Sequence, residues 1–363
     1  MDPRVKPEDD EKRRPFAATE AEGPLAARTI ATPPPLRHPR AKQECRSVAA
    51  ASNLISAAAA GTKRHDLHRP IHMTRHIVST IYGGLGNQMF QFAMGRAMAL
   101  RSRSALVLDT RWFDSSPSVS FRLGHFNIGP AVTSGTLPPR RKDELLRYYL
   151  WHAAGRFPER VRENGLGFDP AMLSPRSNLW LDGYWQSQRY FADCIDTIAN
   201  DFRIVTPPSP ENAKHLAAIA ACPAISLHVR RGDYLLPENQ ALFAACSKQY
   251  YAKAVDQMIA TMRQEPVIYV FSDDPSWARD NLAFPVEKRV MGHNGRDADY
   301  EDMRLMSACR HHIIANSSFS WWGAWLNPSP DKIVIGPAAW FADPTASNPD
   351  ILPDGWLPLS NQG

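Results

Sequence analysis

The stretch "ISLHVRRGDYLLP", residues 225–237, decides the fold. Ile225, Leu227 and Val229 alternate with Ser226 and His228, the period-2 signature of a strand. The run ends abruptly in Arg230, Arg231, Gly232 and Asp233. A polar cluster at a strand's exit is where open α/β sheets bind their ligands. Two adjacent guanidinium groups there can fork onto a diphosphate, Asp233 can orient one of them, and His228 can position the other or titrate. The plainer alternative is a salt bridge between Arg231 and Asp233 around a turn at Gly232.

The neighbouring sequence repeats the pattern. Apolar runs at 267–274 ("VIYVFSDD"), 311–316 ("HHIIAN") and 332–337 ("KIVIGP") read as strands, and the segments 248–264, 297–310 and 317–326 as helices. Upstream, a strand over residues 77–82 turns at Gly83, Gly84 and Gly86. A helix follows from Asn87 to Arg101, then a strand over 105–109. From 110 to 180 tryptophans, prolines and charges follow no regular order, up to "WLDGYWQSQRYF" (180–191) and a helix ending near Phe202. This alternation predicts an α/β fold of two Rossmann-like lobes with parallel sheets, facing each other across a cleft. The Pro-rich "TPPSPEN" (206–212) marks the boundary, giving an N-terminal lobe over 73–207 and a C-terminal lobe over 208–363.

Residues 1–72 differ in texture. They hold thirteen Lys and Arg against nine Asp and Glu, a surplus of four out of the chain's net +5, and nine of the 31 prolines, with no hydrophobic periodicity. Such a segment cannot bury enough to order itself and is expected to be a disordered leader, with Met73 the expected biological start. Because the basic surplus sits in this leader and no basic helix follows, nucleic-acid binding is disfavoured. The five cysteines lie far apart without a CxxC or Cys/His cluster, which argues against a disulfide framework or a zinc site and suits a reducing compartment. No stretch reaches the roughly 18 apolar residues of a membrane span. The expected setting is cytoplasmic, at most peripheral to the inner face of a membrane.

Three further motifs carry chemistry. In "GGLGNQMFQFAMGRAMA" (83–99), glycines between strand and helix let backbone amides approach a phosphate or sugar, with Gly86, Asn87 and Gln88 at the rim. A dinucleotide fingerprint needs a glycine where Met89 stands, so an NAD-type oxidoreductase is disfavoured even though Asp109 ends the second strand where a ribose-binding acid would lie. In "YVFSDD" (269–274), Ser272, Asp273 and Asp274 end a strand; such carboxylates can read a purine edge, though for Asp274 alone helix capping is the better reading. An isolated metal-binding Asp-x-Asp is not apparent. In "IIANSSFSWWGAWLN" (313–327), Asn316, Ser317 and Ser318 open a helix whose free amides and hydroxyls suit an anion, while Trp321, Trp322 and Trp325 read more simply as core. Together these parts describe a nucleotide-sugar site without a metal.

"GGLGNQMFQFAMGRA", "GYWQSQRYF", "LHVRRGDY", "FSDD" and "NSSFSWWGAWLN" resemble, in that order, the motifs of bacterial α-1,2-fucosyltransferases of glycosyltransferase family 11. The resemblance covers roughly residues 75–340. It implies a GT-B fold, GDP-β-L-fucose as co-substrate rather than cofactor, inversion at the fucose anomeric carbon, and transfer to the 2-hydroxyl of galactose in an oligosaccharide or lipid-linked glycan. It puts His228, Arg230 and Asp233 in the catalytic set, with Arg230 on the diphosphate. Gly86, Asn87, Gln88, Arg231, Ser272, Asp273, Asn316, Ser317 and Ser318 are assigned to the donor, with Asp273 reading guanine and the two serines holding phosphate. Tyr184, Trp185, Gln186 and His125 fall to the acceptor side, where lobe packing is an equal alternative for the first three. Three residues compete as the base: Asp109, His125 and Asp233. A different linkage such as α-1,6, or a non-catalytic nucleotide-sugar-binding module, are the competing readings.

Overall fold

A computed structural model describes residues 75–116, 119–133, 137–141, 143–232, 234, 239, 241–343, 346 and 348–362. The leader, Met73 and Asp233 lie outside the described residues. Two all-parallel sheets organise the rest.

The first contains β1 (His76–Thr80), β2 (Ala105–Asp109), β3 (Glu159–Arg162) and β4 (Leu179–Asp182) in the order β2-β1-β4-β3. Between β1 and β2 runs α1 (Leu85–Ser102), buried on nearly every side. That is why "MFQFAMGRAMA" carries apolar residues all round rather than along one stripe. Gly95 permits the close seat of α1 on the sheet, since a Cβ there would stand 2.8 Å from that of Ser79. Arg103, in the left-handed region at φ 51°, ends the helix. Two helices, α2 (Leu145–Ala153) before β3 and α3 (Ile195–Asp201) after β4, complete the lobe.

After α4 (Pro210–Ala220) the second sheet takes in β5 (Ala224–Val229), β6 (Val267–Ser272), β7 (Lys288–Met291), β8 (His311–Ile313), β9 (Val334–Pro337) and β10 (Leu357–Leu359). Its order, β10-β9-β8-β5-β6-β7, is the doubly wound 3-2-1-4-5-6 of Rossmann sheets read from the other edge. The crossovers are α5 (Lys248–Thr261), α6 (Pro275–Asn281), α7 (Asp299–Ala308) and α8 (Ser318–Trp325). The two Rossmann-like lobes expected from the alternation are therefore present, and such a pair in one chain is the GT-B arrangement.

β5 is covered on both faces. Every residue of β5 is buried, and Ser226 finds an internal partner. Ser226 Oγ meets His312 Nδ1 at 2.7 Å, and Asn327 Nδ2 meets His312 Nε2 at 2.9 Å. The alternation of residue types marked a central strand, not a half-solvated one.

One apolar cluster runs through both lobes. Phe90 of α1 packs at 4.6 Å and 4.9 Å, ring centre to ring centre, on Trp321 and Trp322 of α8, and Phe191 stacks on Trp322 at 5.6 Å. The tryptophans are thus core, as their one-turn spacing suggested. Residues 348–351 return from the second lobe to the first: Asn348 Nδ2 donates to Gln186 O at 3.1 Å, and Phe168 N to Asp350 Oδ2 at 3.0 Å. Among the described residues, Cys194, Cys222, Cys246 and Cys309 are free thiols and no helix is long and apolar enough to cross a membrane.

Candidate functional site

Strand order locates the site before any side chain is considered. In each sheet the order reverses between two neighbours, β1 and β4 in the first, β5 and β8 in the second, and ligands of open sheets bind beyond the carboxyl ends at such reversals. Beyond β1 and β4 lie Gly83–Gly86 and Gly183–Gln186; beyond β5 and β8 lie Arg230–Gly232 and Asn316–Ser318. Register places the last two segments level, because Leu227 pairs with Ile313 and both segments begin three residues later.

The two lobes meet at the start of two helices. A Cβ on Gly86 would stand 2.4 Å from Ser318 C and 2.5 Å from Phe319 N, so only glycine allows the first turn of α1 to lie on the backbone of α8. Trp322 Nε1 donates to Gly86 O at 3.1 Å. Asn87 Oδ1 accepts from Ser318 Oγ at 2.8 Å and from Gln186 Nε2 at 2.9 Å, tying α1, α8 and the exit of β4 to one oxygen. Neither α1 nor α8 has a side-chain cap or an acid in its first turn. In the same chain Ser209, Ser247 and Asp274 cap α4, α5 and α6, and α7 carries three acids in its first turn; α2 is as bare as α1 and α8, but its first residues, Leu145 and Leu146, are exposed. Two uncapped positive helix ends, side by side, make a place for an anion.

Beside them the arginines part company. Arg230 Nε stands 3.3 Å from Asp273 Oδ2 with its guanidinium 5.6 Å from the Tyr234 ring centre, and Tyr234 in turn donates to Asn316 O at 2.8 Å. Arg231 turns the other way and lies 3.7 Å over the ring of Trp277. The expected two-arginine fork therefore reduces to Arg230, because consecutive residues leaving a strand point to opposite sides.

Several other expectations are corrected by hydrogen bonding. Asp273 accepts from Arg231 N at 2.9 Å and crowds Gly232, where a Cβ would stand 2.7 Å from Oδ2, so its carboxylate braces the arginine turn. Ser272 Oγ accepts from Asp274 N at 3.0 Å, and Asp274 caps α6 through Trp277 N at 3.0 Å, the capping role its position suggested. Gln88 is fully buried, not at the rim: it donates to Gly83 O and Ser120 O and accepts from Arg122 N. Asn316, also buried, donates to Trp340 O at 2.9 Å. His228 is enclosed, with Nδ1 lacking a hydrogen-bond partner among the described residues, and burial followed by the Arg230 charge lowers its pKa to about 3. It is neutral near pH 7 and does not titrate there.

On the acceptor side Tyr184 remains accessible and Trp185 does not. Trp185 is 2% exposed, in the left-handed region at φ 56°, packed edge-on against Tyr190. That turn is held by Glu163, whose Oε2 accepts from Tyr184 N at 2.6 Å and Oε1 from Trp185 N at 2.9 Å. Burial raises the Glu163 pKa against the lowering effect of those two bonds. Tyr184 meets Tyr82 edge-on at 5.2 Å, and Tyr82 lies 6.3 Å from Trp112, so three half-buried aromatics line the carboxyl edge of the first sheet. Sequence reading missed Glu163, Tyr82 and Trp112. Asp109 and His125 are both engaged elsewhere. Asp109 is buried in a two-point ion pair with Arg111 (2.8 Å and 2.7 Å), and His125 stacks on Tyr300 at 3.7 Å with Nδ1 3.0 Å from Thr206 Oγ1.

Residues 164–360 match the model of glycosyl transferase family 11. The chain is 32% identical to an α-1,2-colitosyltransferase of Escherichia coli, over 77% of this chain and 98% of that protein. It is 31% identical to the O-antigen biosynthesis glycosyltransferase WbnK of the same species, over 77% of this chain and 99% of that one. A galactoside α-(1,2)-fucosyltransferase 1 from Ateles belzebuth is 28% identical, covering 68% of this chain and 64% of that protein. Among solved structures, the α-1,6-fucosyltransferase NodZ soaked with GDP-fucose superposes with a TM-score of 0.42 at 16% identity, over 70% of this chain and 93% of that one. A parallel-sheet pair joined at two bare helix ends, a family model spanning the second lobe and these full-length relatives converge: the chain is a glycosyltransferase and belongs to family 11.

Proposed function

We propose that the protein transfers L-fucose from GDP-β-L-fucose to the 2-hydroxyl of a galactose residue in a glycan, with inversion and without a metal in the transfer step. The observation that carries this reading is the junction of α1 and α8, two helix N-termini without side-chain cap or acid, beside Arg230. As the bond between fucose C1 and the phosphate oxygen lengthens, positive charge grows on the sugar ring and negative charge on the departing GDP. Backbone amides at the two helix ends and the Arg230 guanidinium meet that negative charge, the task a divalent ion performs in other transferases. The Ser317 and Ser318 hydroxyls lie at the same place. Asn87, already bridging to Ser318 and Gln186, fixes the donor side relative to the acceptor side.

The acceptor sugar would lie against Tyr82, Trp112 and Tyr184, whose rings offer apolar faces to the C–H side of a pyranose. A base must take the proton of the attacking hydroxyl. With Asp109 and His125 engaged elsewhere, Asp233, the residue that follows Gly232 in the sequence, is the candidate left. The relative that transfers colitose favours a second donor reading through the same α-1,2 linkage.

The test is GDP release from GDP-fucose and from GDP-colitose, with EDTA present, on a panel of β-galactosides, followed by linkage analysis. Acceptor-dependent release giving an α-1,2-fucosylated product supports the whole reading. Faster turnover of GDP-colitose replaces the donor, and tight GDP-fucose binding without release on any galactoside refutes the acceptor.

A further inference from the structure

We propose that Glu211, His215 and His293 form a binding site for one divalent transition-metal ion of the zinc class, outside the transfer site. Glu211 and His215 are four residues apart on α4 and so share a face; His293 follows β7. One ligand-capable atom from each of the three lies within 4.8 Å of the others. The three line a cleft of about 500 Å³ together with Ser276 and Arg279. The imidazole rings face one another at 4.7 Å.

A second, independent feature prepares His293 as a ligand. Asp302 Oδ1 accepts from Asn294 Nδ2 at 2.7 Å, which fixes the orientation of the Asn294 amide. Its Oδ1 then accepts from Asn212 Nδ2 at 2.8 Å, fixing the Asn212 amide, which is 1% exposed. Asn212 Oδ1 faces His293 Nε2 at 2.8 Å and must be the acceptor. In the neutral ring this contact puts the proton on Nε2 and leaves the lone pair on Nδ1. A chain of buried groups that sets a histidine tautomer in this way is the usual support of a metal-bound imidazole. Neither the donor nor the acceptor assigned to the transfer reaction uses it.

Two imidazoles and one carboxylate suit Zn²⁺, Co²⁺ or Ni²⁺ over Mg²⁺ or Ca²⁺, and three protein ligands leave a fourth position for water. In a tetrahedral zinc site with bonds of ~2.1 Å the ligand atoms lie ~3.4 Å apart. Side-chain rotation of the exposed Glu211 and the half-buried His215 closes that difference. Strand spacing puts the site about 10 Å along the sheet from β5, since β6 lies between. Its physical effect is to clamp α4, the first helix after the first lobe, to the edge strand β7.

The experiment uses the untagged full chain, freed of metal by chelator dialysis and titrated with Co²⁺ and Zn²⁺. The expected result is one equivalent of Co²⁺ with tetrahedral d–d absorption, displaced by Zn²⁺, and a rise in Tm with Zn²⁺. Glu211→Gln, at an exposed position, should weaken binding at least tenfold; His215→Gln and His293→Gln should abolish it. Turnover of Glu211→Gln on the donor should equal that of the parent chain. Absence of saturable binding overturns the proposal. So does a thiolate-to-cobalt charge-transfer band, which would place the ion on cysteines, or binding unchanged in all three variants.

Discussion

Gly86→Ala is the sharpest test of the helix junction. The new methyl would stand 2.4 Å from Ser318 C and 2.7 Å from Ser318 O, whereas ordinary contacts begin at 3.4 Å. Those atoms are backbone, so no side-chain rotation relieves the clash, and α1 and α8 must separate by about 1 Å. Overpacking of this kind costs about 1–3 kcal/mol, a fall in Tm of several degrees for a chain of this size. The same displacement pulls the two helix ends apart, and a misplacement of ~1 Å at a catalytic constellation costs on the order of 100-fold in kcat. The measurement pairs calorimetry with GDP release at saturating donor. Gly84→Ala is the control: its Cβ meets nothing within 4 Å and its φ of −68° suits alanine, so Tm should hold within a degree or two. Should Gly86→Ala turn over like the parent chain with an unshifted Tm, the junction is neither tight nor the site, and the reasoning fails.

Arg230→Ala should lower kcat/KM by about 100- to 1,000-fold with an unchanged circular dichroism spectrum, and Arg230→Lys should be nearly as severe because an ammonium lacks the planar fork; turnover within threefold of the parent would remove Arg230 from its role. His312, buried like His228, has its pKa lowered to about 3 by burial, so the unfolded chain takes up its proton near pH 6.5 and the folded chain does not. The stability these histidines contribute is complete above pH 6.5 and is lost as pH falls from there toward 3, at on the order of 1 kcal/mol per pH unit each. Urea titrations should show His312→Gln with a shallower loss between pH 6.5 and 5 than the parent; equal slopes would contradict the assignment. Glu163→Gln replaces one of two acceptors with an N–H donor facing a backbone N–H, loosening the turn that presents Tyr184. Acceptor KM should rise about tenfold with GDP-fucose KM unchanged, as expected for loss of a charged hydrogen bond; an effect confined to the donor KM would put Glu163 on the other side of the site.

The sequence announced those parts of the fold where local pattern and final environment coincide. β5, β6, β8 and β9 are buried strands and read as apolar runs; α1 and α8 follow glycine or Asn-Ser turns. β3, "ERVR", pairs along one edge with β4 alone, and its charges face solvent, so no apolar run betrays it. The segment 206–212 was read as a boundary, yet Ser209 and Pro210 are also the N-cap and first residue of α4. Linker and helix-start signals share the same residues there. At the site, residue types were legible but partners were not. Asp273 and Asn316 look like ligand residues because they are polar at strand ends, and the backbone they brace comes from segments distant in sequence. Glu163 was invisible for the same reason, its partners lying 21 and 22 residues on.

Two positive helix ends in contact disfavour one another, each carrying roughly half an elementary charge. What holds them together lies behind the tips: Phe90 of α1 packed against both Trp321 and Trp322 of α8, and the Trp322 hydrogen bond to Gly86 O. Because these rings form one buried cluster with the first lobe, the tips cannot relax by opening a hinge without exposing it. The site is therefore held in its ligand-ready form at a cost in stability, and an anion at the tips removes that cost. GDP should accordingly raise Tm far more than guanosine at equal site occupancy, and the excess should shrink in Gly86→Ala, where the tips have already been forced apart.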